Sequence, residues 1–416
     1  MKDTTDAKAG GVFPEGFYWG AATAAYQVEG GIENTDWALA AREGKVPTCG
    51  RACDHYHRYE EDFDIAKNLG HTAHRLSVEW ARIEPEEGKF DEEAIKHYRA
   101  VLEALKVRGI KPYVTLWHFT QPLWFAEKGG FEQKESADIF ARYCAYVAQA
   151  LGDIVDDFAT MNEPNVFTSN GWLRGSWPPF KRFAPTDFVS ITNSGKTYDA
   201  HADKGLSPLF TYFRVLRNLA YAHNAAYDAI KLVRTELTVS MVKQVIVFQG
   251  NWNPVNKIMA WWANYFWTHR FMKRVYQKCD QIGLNYYFYK KFGDREKHQK
   301  TDMDWDVQPE HIYDALIMLA RYKKPLYVSE AGVADEDDDI RADYITTQVG
   351  GVAQALRDGV DVRGHLYWSL IDNYEWALGF GKRFGLVAID YDTLLRTVRP
   401  SAYVYKEIIE KGGMLD

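Results

Sequence analysis

The chain has 416 residues, of which 46% are hydrophobic, so it can form a large core. At about 100 to 200 residues per average domain, the length allows several domains or one large barrel. The net charge is −7 and the 50 basic residues are interleaved with 57 acidic ones, which argues against a nucleic-acid partner.

Eight apolar or β-branched runs are predicted to be strands. They lie at Phe17–Ala25, Ala73–Trp80, Lys111–His118, Asp156–Glu163, Leu237–Gln244, Asp280–Tyr287, Pro325–Gly332 and Val362–Leu370. Segments with helical periodicity separate most of them: His55–Asn68, Asp91–Arg108, Lys134–Leu151, Leu216–Arg234, Gln308–Arg321 and Ile340–Arg357. The sixth connection is less clear because Trp261–Tyr276 is rich in aromatic residues, and Gly171–Phe213 is predicted to be an extended loop. The alternation predicts an α/β fold, a single (β/α)8 barrel over residues 1–416 with extended βα loops.

The cysteines and the chain start bear on compartment and metal binding. The polar start and the absence of a long apolar run predict a soluble, cytoplasmic protein with no membrane partner. Four cysteines in so long a chain do not suggest a disulfide framework. Cys49 and Cys53 precede His55 and His57, but their spacing fits no usual zinc site. A loop that enters a helix is expected there, and neither a metal nor another cofactor is predicted.

In such barrels the reacting groups lie at the C-terminal ends of the strands. Polar or aromatic side chains occupy these positions: Gln27, His118, Asn162, Glu163, Asn285, Tyr287, Glu330 and Trp368, with Glu375 and Trp376 in the last loop. Glu163 and Glu330 end strands four and seven, on opposite sides of one barrel mouth. Two carboxyls at about 5 to 5.5 Å, one neutral and one ionised, can cleave an acetal with retention. A salt-bridge role is the competing interpretation for either Glu alone.

Six segments carry a family resemblance: FPEGFYWGAATAAYQVEG, DHYHRYEEDFDIAKNLGHTAHRLSVEWARIEP, TMNEP, GLNYY, YVSEAG and YWSLIDNYEWALGFGKRFGL. Together, and in this order, they resemble glycoside hydrolase family 1, the β-glucosidase and β-glycosidase group, over nearly the whole chain. The resemblance implies that Glu163 is the acid/base and Glu330 the nucleophile. It also implies that Arg75 and Tyr287 keep Glu330 ionised, while Asn162 holds the sugar 2-OH.

The resemblance also implies a glycone pocket, formed by Gln27, His118, Trp368, Glu375 and Trp376. Gln and Glu carry acceptors and His supplies a donor or an acceptor, so the set can recognise hydroxyls, and Trp368 offers a flat apolar floor. Family members that act on 6-phosphorylated sugars differ at Glu375-Trp376, where they carry a Ser, with a nearby Lys and Tyr that receive the phosphate. A Glu would repel phosphate, so an unphosphorylated glycone is expected.

The sequence departs from the family in two places. Ala331 replaces the usual Asn after the nucleophile, which removes a possible hydrogen bond and leaves the pH profile open. Gln249–Asp280 is shorter than usual, so a more open cleft is predicted and aglycone preference is not carried over. A transglycosylase with the same residues, or a silent sugar-binding barrel, remains an alternative. The choice among glucose, galactose and fucose, and the oligomeric state, stay open.

Overall fold

The computed structural model describes residues 13–183, 203–205 and 207–413. Eight parallel strands close into a barrel in which each strand pairs with its neighbours in sequence, β1 next to β8. The strands are β1 Tyr18–Ala22, β2 Ala73–Ser77, β3 Lys111–Thr115, β4 Asp157–Asn162, β5 Thr238–Gly250, β6 Gln281–Phe292, β7 Leu326–Ala331 and β8 Val362–Trp368. All eight predicted strands are therefore confirmed, and so is the (β/α)8 fold class.

One outer helix follows each barrel strand. These helices are α1 His55–Asn68, α2 Glu92–Val107, α3 Ser136–Leu151, α4 Ser207–Val233, α5 Pro254–Asn264, α6 Ile312–Ala320, α7 Arg341–Arg357 and α8 Pro400–Glu410. The main core lies between them and the barrel; for example, Phe140 and Tyr143 of α3 are fully buried. In the ranges that the structure describes, no helix is long and apolar enough to cross a bilayer.

The prediction of one extended loop over Gly171–Phe213 is wrong at both ends. A helix over Pro164–Trp172 includes its start, and α4 begins at Ser207. Pro208 suggests a loop when only the sequence is considered. Proline is tolerated in the first turn of a helix, however, because the N–H that it lacks would have no partner there. Between these helices the structure has the short strand Lys181–Phe183, paired with residues 203–205. Residues 184–202 and 206 lie outside the described part.

Strands β5 and β6 run past the rim of the barrel. The pairing of β4 with β5 ends at Asn162 and Val242, and the pairing of β6 with β7 ends at Tyr286 and Ala331. Residues 246–250 of β5 and 288–292 of β6 remain paired with each other beyond those points. At about 3.3 Å per residue, this two-stranded ribbon projects about 16 Å above the mouth.

Helix α5 packs on this ribbon and not on the main core. Ile246, Phe248 and Ala260 form a small apolar cluster of their own. The Asn264 side chain accepts a hydrogen bond from the Phe248 N–H at 3.0 Å and donates one to the Phe248 carbonyl at 2.8 Å. The chain continues through a π-helical turn, Tyr265–His269, into a short helix, Arg270–Val275. The connection over residues 261–276, which is the fifth and not the sixth, is thus an interrupted helix.

Candidate active site

Glu163 lies immediately after β4, at the start of the helix Pro164–Trp172. Its backbone is left-handed, with φ 41° and ψ 58°, a conformation that costs energy for a residue with a Cβ. The Glu163 N–H still donates to the carbonyl of Val242 on β5, at 3.0 Å. The strand pairing therefore continues for one residue while the chain turns, and this fixes the carboxylate at the barrel mouth.

Glu330 lies on β7 with only 3% of its surface exposed. The Arg75 guanidinium donates to one of its oxygens in a buried ion pair, and the Tyr287 hydroxyl donates to the other at 3.0 Å. Burial raises the pKa of Tyr287 well above its usual range, so its hydroxyl stays protonated and remains a donor. The structure thus brings the predicted nucleophile together with both of its predicted partners.

The two carboxyls differ in the groups that oppose the rise in pKa caused by burial. Burial and the charge of Glu330 raise the pKa of Glu163 to about 8, and only the Asn285 amide, Lys243 and Arg75 oppose this rise. Burial also raises the pKa of Glu330, but Arg75 and the Tyr287 hydroxyl contact it directly and oppose the rise. When one proton is shared between them, it therefore resides on Glu163, and Glu330 is ionised.

Asn285 of β6 connects the two halves of the site. Its amide nitrogen donates to Glu163 at 2.7 Å and lies 3.2 Å from the Asn162 side-chain oxygen. The Asn285 amide also lowers the pKa of Glu330, which is its register partner on β7. The Ser329 hydroxyl donates to the Asn285 oxygen at 2.7 Å, which sets the orientation of the amide. Asn285 therefore donates to one carboxyl and lies beside the other on the neighbouring strand.

Gln27 and His118 each present a buried polar atom that has no partner among the described residues. The Gln27 amide nitrogen donates to the Asn373 side chain at 3.0 Å and to the Tyr374 carbonyl at 2.7 Å, but its oxygen is unpaired. His118 Nε2 lies 3.1 Å from the Asn162 amide, and its Nδ1 is unpaired. Burial lowers the pKa of His118 well below its usual range, so the ring is neutral. Buried polar atoms without partners are costly unless a ligand satisfies them.

Aromatic rings line the same side of the mouth. The His118 ring lies nearly parallel to Trp368 and to Trp376, with centroids 6.0 Å apart in each pair. Trp368 is 4% and Trp376 5% exposed, and Trp368 packs with Tyr287. Glu375 is half-buried, and burial together with the charge of Glu330 raises its pKa to about 8. The predicted pocket residues are therefore gathered around Glu330.

His118 and Glu163 do not end their strands as predicted. Strand β3 stops at Thr115 and β4 at Asn162, so both residues lie in the βα loops just beyond. The parallel ladder ends earlier because the chain turns out of the barrel there to enter the loops. The displacement is one to three residues and leaves both side chains at the mouth.

The sequence reading missed four residues that hold the site: Thr115, Lys243, Ser329 and Asn373. The Thr115 hydroxyl accepts a hydrogen bond from Arg75 Nε at 2.9 Å. The Lys243 side chain is fully buried, which lowers its pKa well below the usual range, and its Nζ donates to the Gln244 carbonyl. When Lys243 is charged, it lowers the pKa of Glu163. A lysine in the middle of an otherwise apolar strand was a visible signal for this residue. Nothing in the sequence pattern marks the other three.

The cysteines belong to the packing. All four are buried free thiols. Cys49 donates to the Tyr26 carbonyl and Cys53 to the Asp372 carbonyl, each at 3.0 Å. Cys49 and Cys53 lie in the loop that leads into α1, as expected.

A closed barrel with two unequal buried carboxyls at its mouth defines the class of glycoside hydrolases, and comparisons agree. The model of glycosyl hydrolase family 1 matches residues 9–252 and 247–414. A β-glucosidase A from Acetivibrio thermocellus is 33% identical over 96% of this chain and 99% of its own. A β-galactosidase from Sulfolobus acidocaldarius is 30% identical over 97% of this chain and 96% of its own.

Among solved structures, the β-glycosidase from Pyrococcus horikoshii superposes with a TM-score of 0.85. The two sequences are 36% identical, and the match covers 97% of this chain and 96% of the Pyrococcus chain. The chain belongs to glycosyl hydrolase family 1.

Proposed function

We propose that the protein is a retaining, exo-acting β-glycosidase that hydrolyses unphosphorylated β-glucosides, with β-galactosides and β-fucosides as further candidate substrates. The observation that carries this proposal is the unequal surroundings of the two carboxyls. Glu163 has a pKa of about 8 and holds a proton at neutral pH, while Glu330 lies against Arg75 and is ionised. An acid and a nucleophile are the two groups that acetal cleavage requires.

The first step forms a covalent glycosyl-enzyme. A Glu330 oxygen attacks the anomeric carbon while Glu163 transfers its proton to the glycosidic oxygen, and the bond between that carbon and oxygen breaks. In the second step the Glu163 carboxylate takes a proton from water, whose oxygen displaces Glu330. Each step inverts the anomeric carbon, so the product keeps the β configuration.

The proximity of the two carboxyls supports retention. Inverting enzymes hold their carboxyls about 6.5 to 9.5 Å apart to admit a water, and retaining ones about 5 to 5.5 Å apart. The Asn285 amide nitrogen lies 2.7 Å from Glu163, and Asn285 is the register partner of Glu330 on the adjacent strand. The charge of Glu330 also raises the pKa of Glu163, so the two carboxyls are neighbours at the barrel mouth.

The polar atoms of the pocket support a neutral sugar. The Gln27 oxygen is available as an acceptor, and the neutral His118 ring is available as a donor through Nδ1. The surroundings that raise the pKa of Glu375 to about 8 disfavour negative charge, so a phosphate dianion would be costly there. Relatives named as β-glucosidase and β-galactosidase support both glycones as candidates.

We extend the proposal to the setting of the enzyme. Residues 1–416 are proposed to form one catalytic domain that needs no metal or other cofactor, and the family match over residues 9–414 supports it. A cytoplasmic location is proposed because all four cysteines are free thiols. Cell fractionation with an antibody against the native protein tests the location.

The decisive test compares Glu330→Ala and Glu163→Ala on an activated aryl β-glucoside. Glu163→Ala still forms the glycosyl-enzyme, and azide, which needs no general base, restores turnover and gives the β-glycosyl azide. Glu330→Ala loses about 10⁵-fold or more in kcat, and azide entering the vacated face gives the α-glycosyl azide. A β-azide from Glu330→Ala would refute the assignment of roles. Product analysis of the wild type with excess acceptor distinguishes hydrolysis from transglycosylation.

A further inference from the structure

The face of α5 that points away from the ribbon is strongly apolar and exposed. Of the fifteen exposed large apolar side chains among the described residues, seven lie in residues 252–266. They are Trp252, Val255, Ile258, Met259, Trp261, Trp262 and Phe266, and we call them the α5 patch. Trp252 is 85% exposed, Trp261 60% and Trp262 47%. Contiguous exposure on this scale marks an interaction surface.

Charge along the segment that carries the α5 patch is of one sign, and Asp294, which follows Gly293 beside Asn251, pairs with His298. Residues 251–279 contain five basic residues and no acidic one, in a chain whose net charge is −7. The basic residues are Lys257, Arg270, Lys273, Arg274 and Lys278. Lys257 and Lys273 are exposed and form no ion pair with any described residue, and Lys273 lies 5.1 Å from the Tyr265 ring centroid. A tryptophan-rich apolar face with a basic border is the pattern of helices that lie in the headgroup region of a bilayer.

The α5 patch is fixed in place near the barrel mouth. Trp267 Nε1 donates to the Gln244 side chain at 2.7 Å, and Asn264 holds both backbone groups of Phe248. These contacts join α5 and the π-helical turn after it to β5, at and above the rim of the barrel. Tyr287, which donates to Glu330, directly precedes the projecting part of β6. Anything that binds the α5 patch therefore lies beside the entrance of the active site.

We propose that the α5 patch binds the surface of an anionic lipid bilayer, peripherally and without a spanning segment. The apolar side chains enter the headgroup layer, and the basic ones pair with lipid phosphates. A second copy of the chain suits the patch less well. In a two-fold contact the same surface meets itself, so the basic side chains of residues 251–279 would approach one another, and this segment has no acidic residue to pair with them. The proposal is independent of the catalytic assignment, since binding is measured without substrate.

The experiment measures co-sedimentation of the full-length protein with vesicles of phosphatidylcholine alone or of an equimolar mixture with phosphatidylglycerol. The wild type binds the anionic vesicles more tightly, and added salt weakens this binding. The double variant Trp261→Glu/Trp262→Glu lowers the partition constant at least about tenfold. The double variant Lys257→Gln/Lys273→Gln lowers binding to anionic vesicles about fivefold for each charge removed and leaves binding to phosphatidylcholine unchanged.

Leu232→Glu is the matched control. Leu232 is 86% exposed near the end of α4, at the opposite end of the barrel, so its substitution leaves vesicle binding unchanged. All variants keep the wild-type Tm and the wild-type rate on a soluble aryl β-glucoside, because these side chains lie outside the catalytic site. Absence of vesicle binding by the wild type, or equal binding by the Trp261→Glu/Trp262→Glu variant, overturns the proposal. Light scattering that shows a dimer broken by that variant, without vesicle binding, assigns the patch to a second copy.

Discussion

Two buried carboxyls of this protein, Asp62 in helix α1 and Glu163 at the barrel mouth, have opposite pKa shifts. Burial alone would raise the pKa of Asp62, but the hydrogen bonds and charges of His55 and Arg396 lower it. Arg396 Nε donates to Asp62 at 2.9 Å, and the His55 ring lies 2.7 Å from the other oxygen. Glu163 has one amide donor and a neighbouring carboxylate, Glu330, and its pKa rises to about 8.

The comparison shows that the groups around a buried carboxyl, and not the extent of its burial, decide whether it is a structural anion or a proton donor. A raised pKa alone does not identify a catalytic acid. The pKa of Glu79 is also about 8, but its carboxyl accepts from the Thr120 hydroxyl at 2.9 Å and from the Ala81 N–H at the start of a helix. Glu79 also has a carboxylate neighbour, Glu29, which raises its pKa and pairs with Arg82. Glu163 differs from Glu79 in its position, because it follows β4 at the barrel mouth and lies beside Glu330.

Removal of the Arg75 cation is expected to have the largest effect. In Arg75→Met, Glu330 keeps its burial but loses the charge that opposes it, so its pKa rises and it attacks less readily. We expect kcat/KM to fall about 10³-fold to 10⁴-fold, with the acid limb of the pH profile moved to higher pH. Arg75→Lys should recover part of the rate because it restores the charge. An unmoved acid limb in Arg75→Met would contradict this role.

Asp62→Ala tests the structural carboxyl. It leaves Arg396 buried without its partner, and we expect a loss of about 3 kcal/mol in the free energy of unfolding. Urea titration measures it, and the rate per folded molecule should not change. Since the folded pKa of Asp62 is lowered, its stabilisation is present above the unfolded pKa and disappears as the pH falls through the folded one.

Asp64→Ala is the control for Asp62→Ala. Asp64 lies in the same helix and also pairs with an arginine, Arg108, at 2.7 Å, but it is exposed. Its replacement should leave the urea midpoint unchanged. Equal losses from the two substitutions would mean that burial of the ion pair is not what matters.

Ser329→Ala should have a moderate effect on catalysis. The Ser329 hydroxyl orients Asn285, whose amide donates to Glu163 and lowers the pKa of Glu330, so its loss should lower kcat about tenfold with little change in KM. Ser240→Ala is the matched control, because this buried hydroxyl lies 3.1 Å from Tyr327 and does not contact the site residues. A change confined to KM would indicate that Asn285 acts on substrate binding alone.

Lys243→Met should have the smallest effect, on the pH profile only. Burial lowers the pKa of Lys243 itself, but the charged form lowers the pKa of Glu163, so removal of the amine raises the pKa of Glu163 further. The rate falls as Glu163 loses its proton, and the alkaline limb of kcat/KM should therefore move to higher pH. Lys290→Met, on the projecting part of β6, should leave this limb in place. A limb that does not move in Lys243→Met would show that Lys243 is neutral in the active enzyme.

Most of the barrel could be predicted because its strands are short apolar runs between polar turns, such as Lys111–His118. The lengths of β5 and β6 could not, since the ribbon is stabilised by α5 packing on Ile246 and Phe248, a tertiary contact that sequence periodicity does not reveal. The start of α4 at Ser207 was missed for a similar reason, because Pro208 resembles a loop residue. The catalytic pair and its predicted partners do lie together, since strand ends converge by topology.

The two hydrogen bonds between the Asn264 side chain and the Phe248 backbone of β5 bear on the aggregation of the protein. Beyond Val242, β5 has no strand on its β4 side in the described part of the chain, and a free strand edge is a template on which another chain can add a strand. Asn264 occupies the N–H and the carbonyl of Phe248 on that edge, as a neighbouring strand would. One carboxamide thus protects the projecting strand against edge-to-edge aggregation, close to the α5 patch.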